Sequence, residues 1–289
     1  MEIIEKAPAK LNLCLNTLYP RGDGYHELEM IMTSVDLNDY LTFRKISKNE
    51  IRLSTNDYSI PLDGRNCVYQ AAELLKKKFS ISKGLEIEIE KNIPTAAGLG
   101  GGSSDCAATF RALNRMWNLD LNLEEMAEMG VSIGSDVPYC IYGNTAFVSG
   151  RGEKIEKIRD MKPCWVLLVK PVKGVSTRYA FMRLDNTENV NHPDIKKLRS
   201  AIEAEDFEFM CQSMGNTLED AVKDFYPNIA KIKEHLFSLG AQGAMMSGSG
   251  SSVFGLFQNQ KKALRAYNGM KGCNLNAEVY LVRSLSSSR

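Results

Sequence analysis

The chain is predicted to be an α+β protein, because strand and helix patterns interleave along it without the strict alternation of a doubly wound sheet. Two patterns carry this prediction. The segment 84–91, GLEIEIEK, alternates apolar and charged residues, as a strand with one solvated face does. Further on, Cys106, Phe110, Leu113 and Trp117 follow the spacing i, i+4, i+7 and i+11, which places them on one face of a helix.

The remaining elements follow from periodicity and from turn residues. In the first half we expect strands around 2–18, 30–45, 84–91 and 145–149, and helices at 67–79, 104–117 and 123–130. A charged break at 152–163 separates this half from an apolar segment, CWVLLVK at 164–170, which predicts a buried strand ending at Pro171. The second half then predicts helices at 194–204, 206–222, 227–239 and 260–270, and strands at 243–247, 252–257 and 278–283.

Composition limits the class of protein. The 289 residues are enough for a substantial core and one or two domains. The net charge of +1 and the absence of a long basic tract argue against nucleic acid or an anionic membrane as partner, and no apolar run reaches membrane-spanning length. Seven cysteines without a CxxC pair indicate a reducing compartment, so we expect a cytoplasmic protein. Three widely separated histidines argue against a histidine-rich zinc site, and the sequence identifies no metal ligands.

A glycine-rich loop, PTAAGLGGGSSD at 94–105, leads directly into the amphipathic helix. Unpaired backbone N–H groups at such a helix start favour phosphate binding. The loop is not a Walker A motif, since no lysine follows the glycines. It also departs from the dinucleotide pattern GxGxxG, because the sixth position from Gly98 is Ser103, although Asp120 lies about 20 residues downstream as that pattern requires. The alternative is a flexible loop or tight turn without a ligand. In either case we expect Ser104 or Asp105 to cap the helix.

Three segments taken together identify a family. PAKLNLCL at 8–15, the glycine loop and GAMMSGSGSSVFGLF at 243–257 resemble, in order and position, the motifs of the GHMP kinase superfamily. DGYHELEMIM at 23–32 and IGSDVPYCIYG at 133–143 are similar to those members that phosphorylate a sugar alcohol joined to cytidine diphosphate. The resemblance covers nearly the whole chain and is looser between residues 152 and about 240.

The resemblance implies a two-domain architecture with the active site in the cleft between the domains. An S5-like N-terminal domain over 1–160 would carry the phosphate loop, and a ferredoxin-like C-terminal domain would occupy 161–289. The implied cofactors are ATP and Mg²⁺, the implied partner is a small-molecule substrate, and we expect a monomer or weak homodimer. The loop residues expected to bind ATP are Pro94, Thr95, Ala96, Ala97, Gly98, Leu99, Gly100, Gly101, Gly102, Ser103 and Ser104.

Two charged residues are candidates for catalysis. Phosphoryl transfer to an alcohol requires positioning, neutralisation of phosphate charge and a group that orients or deprotonates the attacking oxygen. By resemblance, Asp136 is that group, although a Ser-Asp before Val-Pro is ordinarily a turn or cap. Lys10 would pair with Asp136 and stabilise its negative charge, whereas its plain interpretation is a surface lysine at a strand end. Asn12 is implied as a contact for the polyol of the substrate.

The segment DGYHE at 23–27 is the candidate for substrate specificity. It is either a polar turn leading into a strand or a site for a pyrimidine, in which Tyr25 stacks on cytosine and His26 hydrogen-bonds its edge. The resemblance favours the second interpretation and implies another aromatic side chain from the second half. Tyr179 and Phe181 are both candidates for that role.

Four functions are therefore considered. The first is ATP-dependent phosphorylation of the 2-hydroxyl of the cytidine-linked alcohol, a step of non-mevalonate isoprenoid biosynthesis. The second is a GHMP kinase for another small alcohol, such as homoserine or mevalonate, for which GYHE would have no purpose. A non-catalytic binding module is disfavoured because Lys10, Asp136 and the glycine loop are all present. A dinucleotide oxidoreductase is the most distant.

Overall fold

The computed structural model describes residues 2–273 and 275–286. Its strands are β1 Glu2–Pro20, β2 His26–Ile46, β3 Ile51–Thr55, β4 Gly84–Glu90, β5 Ala146–Gly150, β6 Lys154–Lys157, β7 Trp165–Pro171, β8 Gly215–Asn216, β9 Gly243–Met246, β10 Val253–Phe257 and β11 Ala277–Arg283. Its helices are α1 Cys67–Lys78, α2 Gly101–Trp117, α3 Leu123–Val131, α4 Val137–Tyr142, α5 Thr177–Leu184, α6 Ile195–Glu203, α7 Phe207–Gln212, α8 Thr217–Val222, α9 Pro227–Ser238 and α10 Gln260–Lys271. The fold is thus α+β, as predicted.

Seven strands form the first sheet. Its main path runs β3-β4-β2-β1-β8, and β5 pairs with both β2 and β6. The long antiparallel pair β1–β2 is its centre, and β1 is buried continuously from Ala9 to Thr17. In β4, Leu85, Ile87 and Ile89 are buried, which confirms the alternation predicted for this strand.

The second sheet has four strands in the order β11-β7-β10-β9, and all three of its pairings are antiparallel. Counted along the chain within this sheet, the order is 4-1-3-2. One helical connection joins β7 to β9 and another, α10, joins β10 to β11. This βαββαβ arrangement is the ferredoxin-like order that the resemblance implied for the second half.

One predicted helix is wrong. The segment 206–222 forms two short helices, α7 and α8, which are separated by the two-residue strand β8. Gly215 and Asn216 pair in parallel with Cys14 and Leu15 of β1, and Asn216 has extended backbone angles while its side chain accepts from the N–H of Leu218. Helix α7 therefore ends at Gln212, with Ser213 at its C-cap position, and Asn216 starts α8 as its N-cap.

Strand β1 of the first sheet packs in one core cluster with residues of the second sheet. Ala9, Leu11 and Leu13 belong to a core cluster that also contains residues of the second sheet and of α6 and α7. Lys10 and Asn12 alternate with these residues, so they lie on the other side of the strand. In the part of the chain that the structure describes, no helix is long and apolar enough to cross a membrane.

Candidate active site

The glycine loop forms the start of α2. Gly98 and Gly100 have φ values of +76° and +67°, which favour glycine, and Gly100 is the residue immediately before the helix. The first bond within the helix is donated by the N–H of Ser104 to the carbonyl of Gly100, at 2.8 Å. The N–H groups that precede it have no partner within the helix, which is the arrangement that favours an anion such as phosphate.

The predicted helix caps are wrong, because α2 begins three residues before the predicted start. Ser104 instead donates its hydroxyl to the carbonyl of Pro8 at 2.7 Å, and Asp105 forms an ion pair with Lys91. The backbone N–H of Lys10 donates to the carbonyl of Leu99 at 2.9 Å. These bonds attach the phosphate loop and the first turn of α2 to β1.

The third motif packs against the same loop from the second half of the chain. The hydroxyl of Ser247 donates to the carbonyl of Gly98 at 3.0 Å, and the N–H of Ser252 donates to the carbonyl of Ala97 at 3.2 Å. A Cβ on Gly98 would overlap the carbonyl oxygen of Ser247, so the close approach of the two backbones requires glycine. The amide of Asn216 holds the turn by donating to the carbonyls of Met246 and Gly248 at 2.9 and 2.8 Å.

Lys10 and Asp136 meet at this junction. The Nζ atom of Lys10 lies 3.5 Å from Oδ2 of Asp136 and donates to Oδ1 of Asn12 at 2.7 Å. The Lys10 side chain is 6% exposed, whereas that of Asp136 is 33% exposed and precedes α4 without capping it. A Cβ on Gly248 would lie 3.1 Å from Lys10 Nζ. The buried cation is therefore fixed by strand, turn and carboxylate, and the carboxylate faces accessible space.

Asn12 is fully buried, with its Nδ2 atom 3.3 Å from Sδ of Met30. Its amide therefore positions Lys10 in this structure. Its contact with the polyol of a substrate stays a prediction.

A buried network of charged side chains, formed by Lys91, Asp39 and Asp105, lies beside the first turns of α2. The ammonium of Lys91 bonds to Asp39 and, at 2.7 Å, to Asp105 in α2. The other oxygen of Asp39 accepts from the N–H groups of Asn92 and Ile93 at 2.6 and 2.8 Å. Burial raises the pKa of the Asp105 carboxyl, Lys91 opposes that shift, and Asp39 adds to it. Neither Lys91 nor Asp39 was singled out by sequence reasoning, since only the fold brings β2, β4 and α2 together.

The cytosine-site candidates lie at the junction of the turn 21–25 with β2. Tyr25 is 48% exposed, and the guanidinium of Arg151 lies 5.1 Å from its ring centroid. The ring of His26 stacks on Phe181 of α5, with centroids 4.9 Å apart. Tyr179 instead packs edge-on against Phe225 and Tyr226. The structure therefore brings Phe181, rather than Tyr179, to the DGYHE segment.

Helix α5, which carries Tyr179 and Phe181, also contacts the glycine-rich turn between β9 and β10, because the hydroxyls of Thr177 and Ser249 lie 2.9 Å apart. A surface cavity of about 510 Å³ lies elsewhere, against β11 and the end of α10, and none of the predicted site residues lines it. That cavity is therefore separate from the glycine loop, the Lys10–Asp136 pair and the DGYHE segment.

The structure brings together a glycine loop at a helix start, a lysine–aspartate pair beside it and a glycine-rich turn packed on both. This arrangement can position and neutralise phosphate groups, as phosphoryl transfer requires. The model of the GHMP kinases N terminal domain matches residues 66–144, and that of the GHMP kinases C terminal domain matches residues 192–274. The chain belongs to the GHMP kinase family.

The chain is also similar to individual kinases of this family. A 4-diphosphocytidyl-2-C-methyl-D-erythritol kinase from Enterococcus faecalis is 52% identical over 286 residues, which cover 99% of this chain and 100% of the relative. A crystal structure of 4-(cytidine 5'-diphospho)-2C-methyl-D-erythritol kinase has a TM-score of 0.82 at 28% identity, covering 99% of this chain and all of the other. A homoserine kinase from Cytophaga hutchinsonii has a TM-score of 0.77 at 20% identity, covering 97% and 94%, and shares the fold.

Proposed function

We propose that this protein transfers the γ-phosphate of ATP to the 2-hydroxyl of 4-diphosphocytidyl-2-C-methyl-D-erythritol, in non-mevalonate isoprenoid precursor biosynthesis. The observation that carries the proposal is the buried Lys10 ammonium 3.5 Å from Asp136, fixed between the phosphate loop and the glycine turn. The full-length identity of about half with the Enterococcus faecalis kinase supports the substrate.

ATP fits the start of α2. The residues Gly100 to Ser103 present backbone N–H groups there, and a Cβ on Gly102 would have no atom within 4 Å, so space for phosphate is open. No group of three His, Cys, Asp or Glu side chains among residues 2–273 and 275–286 is arranged to hold a metal ion. We therefore propose that Mg²⁺ is held mainly by phosphate oxygens and water, as is usual for this ion in kinases.

The chain's own residues then have distinct tasks. Asp136 accepts a hydrogen bond from the substrate hydroxyl and orients the oxygen for attack, or takes its proton as the bond to phosphorus forms. Lys10 stabilises the negative charge that develops on that oxygen, and Asn12 keeps the ammonium in place. Tyr25, His26 and Phe181 hold the cytosine some distance from the reacting end, which positions the alcohol.

The N-terminal domain is proposed to span residues 1–160 and the C-terminal domain 161–289. Support comes from β6, which ends at Lys157 in the first sheet, and β7, which begins at Trp165 in the second. A cytoplasmic location and a monomeric or weakly dimeric state stay predictions. The seven free thiols are compatible with a reducing compartment.

The test is ADP formation with ATP and Mg²⁺ and one of three alcohols: 4-diphosphocytidyl-2-C-methyl-D-erythritol, homoserine or mevalonate. We expect turnover with the first, and a ³¹P resonance of a new phosphate ester on a tertiary carbon identifies the 2-hydroxyl. Turnover with homoserine or mevalonate alone would support the alternative GHMP function. A lack of turnover with all three would refute both.

A further inference from the structure

A carboxylate from the second half of the chain is bound to the histidine of the DGYHE segment. Nε2 of His26 lies 2.7 Å from Oδ1 of Asp185, across 159 residues of sequence. The His26 side chain is 11% exposed, whereas that of Asp185 is 49% exposed. Asp185 is the residue at the C-terminal end of α5.

The same helix fixes the ring in a second way. Phe181 lies one helical turn before Asp185, and its ring stacks on that of His26 at an interplanar angle of 26°. The phenyl ring holds the plane of the imidazole, and the carboxylate holds its rotation within that plane. His26 is therefore oriented by α5, although it lies at the start of β2.

The hydrogen bond also decides what the other ring nitrogen can do. A carboxylate only accepts hydrogen bonds, so Nε2 of His26 carries the proton. A neutral imidazole has one N–H group, so Nδ1 is then an acceptor. Cytosine presents an amino donor at the position where uracil presents a carbonyl acceptor. An Nδ1 acceptor matches the first base and is repelled by the second.

We infer that Asp185 is a specificity-determining residue, which makes the enzyme select cytosine over uracil by holding His26 as the Nε2–H tautomer. This inference rests on the proposed function, because it concerns the base of the same substrate. Asp185 is a positioning residue and acts through His26.

The test compares the cytidine substrate with its uridine counterpart at saturating ATP. In the wild type we expect kcat/KM to favour cytidine by about 10- to 100-fold, the discrimination typical of one well-made base contact. In Asp185→Ala the ratio should fall toward one through a higher KM for the cytidine substrate, with KM for ATP unchanged. Asp185→Asn, whose amide can accept from Nε2–H or donate to Nε2, should give an intermediate ratio. Asp185→Glu should restore part of the ratio. Asp224→Asn, an exposed carboxylate between α8 and α9, is the matched control.

A purely structural role of Asp185 would weaken both substrates equally and leave the ratio intact, and that result overturns the inference. The tautomer provides a direct signature, because the chain has only three histidines to assign by ¹⁵N NMR. His26 should be the Nε2–H tautomer in the wild type and mixed in Asp185→Ala. A mixed tautomer in the wild type also overturns the inference.

Binding of CDP and UDP by calorimetry separates this inference from the proposed function. Turnover of the cytidine substrate with an unchanged base ratio in Asp185→Ala would support the kinase function and exclude Asp185 as a specificity-determining residue. Selective CDP binding that is lost in Asp185→Ala, without turnover of any alcohol, would support the inference and refute the kinase function. Equal binding of CDP and UDP by the wild type would overturn the inference.

Discussion

The ammonium of Lys10 lies 3.5 Å from the carboxylate of Asp136, although 126 residues separate them in the chain. The lysine is nearly fully buried and has a second oxygen partner in Asn12, whereas the aspartate is one-third exposed. The site therefore combines a buried ammonium that is held in place with a carboxylate that a substrate can reach. This asymmetry supports the proposal that Asp136 is the partner that contacts the substrate hydroxyl.

Asp136→Asn should therefore lower kcat by about 10²- to 10⁴-fold, the contribution typical of a positioned acid–base group. KM for ATP should change little, because the proposed site of the phosphates is the start of α2. Steady-state kinetics with each substrate varied separately measure both effects. Asp120→Asn is the control, since Asp120 is exposed with φ +53°, a conformation that asparagine also accepts, and it should keep full activity. Near-normal kcat in Asp136→Asn would remove this residue from the mechanism.

Two glycines of the loop should respond differently to substitution. Gly98→Ala places a Cβ on the carbonyl of Ser247 at a positive φ, so we expect a clear loss of folding stability in urea unfolding. Gly102→Val adds a side chain in open space at the start of the helix, and a branched residue is at least as favourable there as glycine. It should keep its stability and raise KM for ATP. Unchanged nucleotide affinity in folded Gly102→Val would contradict the phosphate site.

Much of the fold could be predicted because its signals are local. The alternation in β4 and the apolar face of α2 were both visible as periodicity, whereas the helix predicted over 206–222 is interrupted at residues 213–216. The short elements β3, β6 and α4 were not predicted, because four to six residues show little periodicity and no other local signal marked them.

The site itself was only partly predictable. The pairing of Lys10 with Asp136 came from the resemblance of two distant motifs, since no spacing rule joins residues 10 and 136. The bond between Asp185 and His26 and the network of Lys91 depend on which elements the fold brings together. No local pattern marks an exposed aspartate at the end of a helix as the partner of a histidine in another sheet.

Lys91 should be a major stabilising residue of the first sheet. Lys91→Met would leave the carboxylates of Asp39 and Asp105 buried without their cation, at a cost of about 3–5 kcal/mol in the free energy of unfolding. Urea unfolding measures the loss. Lys77→Met, on the exposed side of α1, is the control and should stay within about 0.5 kcal/mol of wild type. A loss equal to that of the control would show that the network contributes nothing to stability.

The same network should make stability depend on pH. Burial raises the pKa of Asp105 above its ordinary value of 3.8, so ionisation costs more in the folded state than in the unfolded state. Its stabilising contribution is complete below pH 3.8 and is lost as the pH rises through the folded-state pKa. Asp105→Asn cannot ionise, so relative to wild type its stability should increase over that interval. Parallel urea unfolding curves at several pH values check this, and a constant difference would refute the raised pKa.

Substitutions of the two aromatic residues of α5 should have different effects on KM for the cytidine substrate. Phe181 stacks on His26, whereas Tyr179 packs against Phe225 and Tyr226, so only Phe181 is placed to contribute to the cytosine site. Phe181→Ala and Tyr25→Ala should each raise KM for the cytidine substrate by the equivalent of about 1–3 kcal/mol, the value of one base stack. Neither should change KM for ATP.

Tyr179→Ala should lose packing and some stability while keeping KM for the cytidine substrate. A raised KM in Tyr179→Ala with a normal KM in Phe181→Ala would transfer the stacking role to Tyr179, and normal KM in all three variants would exclude cytosine from this site.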